Sequence, residues 1–291
     1  MNKITTILSC LLIVTNCLGQ SAKDTSFCDR SWCKFPKDHP YHFNPYYNGH
    51  LCENFNPQQI DFSKEYFELQ TKQYSNKTDQ LQKFLKFNYC SIWLSGIKQQ
   101  NGVIGLNYQR IQIHIDKVTK NKTKSDTYII TGKSKVKDNI CNFSGELKLL
   151  KLFLIGCSDT TIEKCGQLFG SYTLYEDSLH NHCGVFKGIM ECSVRLDSTG
   201  KRMLLGDCCG DDNYWNRTFI GTWTEYKTGN VKKCIWGDYR LPFVFDFMCG
   251  DGEMRACDKY AMYGWQTFND NSEYMTVNEK WELKDKWWLR K

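Results

Sequence analysis

No run of apolar residues in the 291-residue chain is long enough to cross a bilayer as a helix, which takes about 20. There is no Cys-x2-Cys pair, so zinc fingers and ribbons built on that spacing are excluded. A serine elbow of the form Gly-x-Ser-x-Gly is missing too, which removes the commonest serine-hydrolase signature. The acidic loops lack EF-hand spacing. Charge is nearly balanced, at a formal +6, and basic stretches such as "KVTKNKTKSD" from Lys117 are broken by Thr, Asn and Ser. That pattern reads as a solvated hairpin tip rather than a nucleic-acid stripe, so nucleic acid is not an expected partner. Proline is scarce, with five residues, and all but Pro242 fall within residues 20–60.

What is present begins with a leader. Lys3 precedes the apolar run Ile7 to Val14, and small or polar residues follow up to Gly19. Residues 1–19 therefore read as a secretory signal peptide, cut before Gln20. A competing reading makes Cys17 the lipid-bearing residue of a membrane-anchored lipoprotein, although Asn16 is not the small residue that such signals place before the cysteine. The expected location is secreted or periplasmic, with membrane contact only through that lipid.

Of sixteen cysteines, all but Cys10 and Cys17 lie beyond Gly19. In an oxidising compartment this usage predicts several disulfides together with some buried free thiols. Residues 20–100 read as an irregular, disulfide-held segment around Cys28, Cys33 and Cys52. Within it Leu81, Phe84, Leu85 and Asn88 have helical spacing after Thr78 or Asp79, which predicts one short helix. Residues 101–291 read as an antiparallel β domain, and Trp281, Trp287 and Trp288 as a terminal element docked on it.

The strand signal is clearest in "GVFKGIMECSVRLD". Phe186, Gly188, Met190, Cys192, Val194 and Leu196 share one face, while Lys187, Glu191, Ser193, Arg195 and Asp197 share the other. One dry and one wet face predict an antiparallel barrel or strongly curved sheet. Glycine recurs beside large apolar residues on the dry face, at Gly132, Gly145, Gly170, Gly188 and Gly221. Such glycines let strands coil sharply, and tight barrels are packed by their own side chains, so a filled interior is expected. "KRMLLGD" leaves room for an additional strand.

Phe219-Ile-Gly221-Thr-Trp223 resembles the Gly-x-Trp element of lipocalin and fatty-acid-binding-type barrels, which are up-and-down antiparallel barrels around a small apolar ligand. The resemblance covers five residues and sits late in the chain, whereas those families carry the element on the first strand. It implies that Gly221 and Trp223 lie near one end of a barrel. The longer stretch "FIGTWTEYKTGNVKKCIWGDYRLPF" also resembles exported bacterial β-rich proteins of unassigned function.

Residues that could carry chemistry are few. His180 and His182 form a His-x-His pair beside Cys183, which could hold a metal if a third ligand joined them, but two solvated histidines are the plainer reading. Asp207, Asp211 and Asp212, and Asp251 with Glu253, read as turn residues. No catalytic residue, metal ligand or cofactor is assigned. Sequons occur at Asn76, Asn121, Asn142 and Asn216. The expected role is non-enzymatic binding or surface structure, with a small apolar ligand, a glycan or a protein as partner. Phe186, Met190, Phe219 and Trp223 are the candidate ligand contacts. An exported hydrolase without a recognisable motif is the alternative.

Overall fold

In a computed structural model the described residues are 56, 58–96, 98–155, 165–197, 199–206, 215–248, 254–277 and 280–290. The leader, Cys17, Cys28, Cys33, Cys52, the acidic loops at 207–212 and 251–253, and the side chain of Trp281 lie outside them.

Eight antiparallel strands close a barrel. They are β1 (Gln100–Ile104), β2 (Gln109–Lys120), β3 (Thr127–Val136), β4 (Asn139–Ile155), β5 (Cys165–Glu176), β6 (Gly184–Leu196), β8 (Trp215–Glu225) and β9 (Val231–Tyr239). Each pairs with the next, and β9 returns to β1 through Gly102 opposite Trp236. The short β7 (Met203–Leu205) extends the line of β8 along β6 and is the additional strand anticipated in "KRMLLGD". The order is up-and-down, as strict two-residue alternation and short connections dictate.

The glycines mark where neighbouring backbones nearly touch. Gly188 stands opposite Gly221 in the β6–β8 register, and a Cβ on Gly188 would lie 2.1 Å from the Ile220 carbonyl oxygen and 2.7 Å from the Gly221 Cα. Only a residue without a side chain permits this approach. The expected curvature is therefore present, and its immediate cause is strand-to-strand proximity rather than crowding in the interior.

Two apolar clusters result. One fills the barrel, with Tyr172, Phe186, Phe219 and Trp236 packed at its waist. Phe219 stacks on Trp236 with centroids 4.9 Å apart, and Tyr172 meets both edge-on at 5.1 and 5.2 Å. The second cluster covers the outside of β1, β8 and β9, where Val103, Ile220 and Ile235 are buried beneath Phe62, Phe247 and Trp265. This outer layer comes from helix α1 (Ser63–Lys72) and from the chain after Tyr239, where strand gives way to 3-10 turns, helix α4 (Gln266–Asn269) and the hairpin β10 (Tyr274–Val277) with β11 (Lys280–Leu283). Trp287 docks as expected, buried with its indole NH donating to Gln99 at 2.6 Å.

The predicted helix at Leu81 is a single turn, α2 (Leu81–Phe84), with Asp79 accepting from the Leu81 amide at 3.0 Å. A second short helix, α3 (Cys90–Leu94), follows. α1 was not anticipated, and it corrects the wet face assigned to β6 in part: Lys187 and Arg195 are exposed, while Glu191 and Ser193 are buried. Tyr66 of α1 reaches Glu191, which also accepts from Gln167 at 2.6 Å, and Ser193 donates to Gln167 at 2.9 Å. Glu191 is only 2% exposed, because a helix covers polar positions that alternation alone assigns to water.

Cys141 and Cys183 form a disulfide, and Cys165 and Cys257 each take part in a disulfide of their own. Cys192 and Cys234 are buried free thiols, as cysteine usage anticipated. No helix among the described residues is long and apolar enough to cross a membrane.

Candidate functional site: the open mouth of the barrel

The strands run between two unlike ends. At one, α2 and α3 lie across the opening. Arg217 sits in a bulge of β8 with φ of 42°, and a bulge can re-aim a side chain in this way. Its guanidinium donates to the carbonyls of Trp93 and Ser95 at 3.3 and 2.7 Å and is paired with Asp238 at 2.6 Å. Burial raises the Asp238 pKa, and Arg217 opposes that shift. Lys120 donates to the carbonyl of Phe87 at 3.0 Å. Two cations thus bind the helical segment to the strand ends and close this side.

The other end is open. A cavity of about 940 Å³ descends between the β1–β2, β3–β4, β5–β6 and β8–β9 connections to the aromatic waist. Ile104, Ile111, Val136, Phe186 and Trp223 supply its apolar lining. The expectation of a filled interior therefore holds at the waist and fails at the mouth. The physical reason is that no helix among the described residues lies across these strand ends as α2 and α3 do at the far end; Ile60 borders the cavity, which stays open.

The four candidate contacts divide accordingly. Phe186 and Trp223 line the cavity. Met190 and Phe219 share their face but lie deeper, in the packed interior, because each two-residue step moves a side chain further from the mouth. Trp223 stands near one end of the barrel, as its resemblance to the Gly-x-Trp element implied.

The mouth also contains polar groups that the sequence reading did not single out. Glu176, at the end of β5, is 6% exposed. It accepts hydrogen bonds from the Ser134 hydroxyl, from the Trp223 indole NH at 2.8 Å and from the Gly184 amide at 2.8 Å. Burial raises its pKa above the ordinary carboxylate value, and those three donors hold the rise back. On the rim, His182 lies 3.0 Å from Glu225, and the Lys232 ammonium sits 5.1 Å above the Trp223 ring. Hydrogen bonds from Thr228 and His182 pull the Glu225 pKa down.

The His-x-His pair does not converge. His182 faces Glu225, while His180 lies 3.9 Å from Asp177. Cys141, Cys183 and Glu176 do bring ligand atoms together, but both sulfurs are joined in the disulfide, and a disulfide sulfur is not a thiolate ligand. Asn216 is buried and accepts from the amides of Ser193 and Arg217, so its sequon is closed in the folded chain. Outside the barrel, a groove of about 510 Å³ runs beneath the C-terminal segment. There Arg110 pairs with Glu273 at 2.8 Å and Lys135 lies 3.9 Å from Asp285.

Comparison with protein-family models, curated proteins and solved structures finds no match for this chain.

Proposed function

We propose that this chain is an exported binding protein that takes a small ligand with an apolar body into the open mouth of its barrel. The observation that carries the reading is the cavity of about 940 Å³ floored by Phe186 and Trp223. Ligand sites are concave, mainly apolar and set with a few polar groups, and this cavity has that composition. Export is supported by the signal-like leader and by cysteines joined in disulfides. The disulfide between Cys141 and Cys183 lies at the mouth itself, beside Glu176, where it restrains the β4 and β6 ends that border the cavity.

The test is an apolar fluorescent probe titrated into folded protein. Stoichiometric binding with quenching of tryptophan emission is expected, and Trp223→Phe should remove most of that quenching. Saturable binding that leaves tryptophan emission unchanged in both proteins would place the ligand elsewhere and defeat the proposal.

A further inference from the structure

The mouth contains a buried charge that its own walls leave uncompensated. Glu176 is held by three neutral donors, the Ser134 hydroxyl, the Trp223 indole and the Gly184 amide, and it forms no ion pair among the described residues. The contrast with Asp238 is direct, because that buried carboxylate has the Arg217 guanidinium against it. Buried carboxylates are ordinarily paired with a cation, since desolvating a lone ionised group is costly.

The cations of the rim have other partners. His182 faces Glu225 at 3.0 Å, and Lys232 also acts on Glu225 electrostatically. Lys232 shows in addition that the Trp223 ring accepts an ammonium on its face, at 5.1 Å from the ring centroid. Aromatic faces attract cations through the ring quadrupole, more strongly once water is excluded. Of the other charged groups that border the cavity, Lys233 turns its ammonium to the outer cluster, donating to the Phe243 carbonyl at 3.2 Å and lying 4.8 Å from the centroid of the Tyr108 ring. Tyr226 donates its hydroxyl to the Glu176 carbonyl at 3.0 Å, and its pKa is raised. The Cys234 thiol is raised as well, with Glu176 contributing. Lys137 and Asp138 lie together on the β3–β4 turn and both border the cavity.

We infer that the ligand of this cavity is an organic cation, an ammonium group carried on an aromatic or aliphatic body, with Glu176 as its counter-ion and Trp223 and Phe186 as the rings that receive it. The inference rests on the mouth being the ligand site and specifies the charge of what enters. A cation supplies the partner that Glu176 lacks, whereas an anion would meet a buried like charge and a neutral molecule would leave it as it is.

The experiment uses three probes with one ring and different charge: 2-phenylethylamine, 2-phenylethanol and 3-phenylpropionate. Each competes against the bound fluorescent probe at neutral pH. The amine is expected to compete at least tenfold better than the alcohol, and the acid worst. Glu176→Gln keeps the shape of the side chain and should bring amine and alcohol to equal potency while leaving the alcohol unchanged. Circular dichroism checks that the variant is folded; if it is not, the wild-type series decides alone. Equal competition by amine and alcohol, or preference for the acid, would overturn the inference and leave the mouth as a ligand site. Failure of all three to displace a probe that does bind would overturn both.

Discussion

At the closed end of the barrel Arg217 and Lys120 turn their charges onto carbonyls of the α2–α3 segment, whereas at the mouth Lys232 and His182 stay on the rim and the buried charge is Glu176. The same strands build both ends. One buries a matched pair and closes, while the other buries a single carboxylate and stays open. A charge matched from within leaves its surroundings free to close, whereas an unmatched one beside an open cavity can be met by what enters.

The strongest way to break this comparison is to unmatch the closed end. Arg217→Ala would leave Asp238 buried without its cation, and loss of one partner of such a pair costs roughly 3–5 kcal/mol. Denaturant unfolding should show a loss of that size, with Glu176→Gln at the mouth costing far less. Similar losses at both ends would mean that the carboxylates play the same part.

Glu191 sharpens the comparison from outside the closed half, since it too is a buried carboxylate with no ion pair among the described residues, covered by α1 rather than by a ligand. Burial pushes its pKa from 4.5 to about 7, against hydrogen bonds from Tyr66 and Gln167. A raised carboxyl pKa means that the folded state holds a proton that the unfolded state has released. Its contribution to stability is full below about pH 4.5 and is lost as pH rises through about 7. The ceiling is about 3 kcal/mol for a shift of this size. Unfolding free energies measured between pH 5 and 8 should decline, and Glu191→Gln should flatten the decline in part. Glu176, raised in the same direction, accounts for some of what remains.

Between the ends, Gly188→Val tests the waist. Its Cβ would lie 2.1 Å from the Ile220 oxygen, so the β6–β8 pairing must open, at the upper end of the roughly 1–3 kcal/mol typical of overpacking. Lys187→Val, on the exposed neighbour, should change the melting temperature little. The mouth should show a smaller loss than Gly188→Val. Trp223→Phe keeps a ring but removes the indole donor to Glu176, a loss of about 1 kcal/mol in thermal unfolding.

The barrel was legible because period-two alternation is a backbone property that survives wherever one face is apolar. Phe186, Met190, Cys192 and Val194 fall inside as their spacing dictates. α1 was not legible, since it covers β6 through the polar contacts of Tyr66 with Glu191 rather than through an apolar stripe. At the mouth, Phe186 and Trp223 were legible from their dry-face phase beside Gly188 and Gly221, while Glu176 and Ser134 belong to no motif. The signal was present nonetheless. Glu176 is in phase with Leu168, Gly170, Tyr172 and Leu174, and Ser134 with Ile130 and Gly132. A carboxylate continuing the phase of an inner face is a residue that folding carries inward, and following that phase to the strand ends would have placed both at the mouth.

The seam between β1 and β9 has a meaning in time as well as in space. Apart from the β7 excursion, every other pairing in the barrel joins strands that follow one another along the chain, and such neighbours meet after closing only short loops. The seam joins the first barrel strand to the last, so the whole meander must be held in register before Gly102 can meet Trp236. Loop-closure entropy places that event late in folding. The seam is also packed on both surfaces, by Trp236 within and by Val103 and Ile235 beneath the outer cluster without. The side chains that arrive last therefore act as a latch, contributing little to the rate at which the barrel forms and much to the slowness with which it opens.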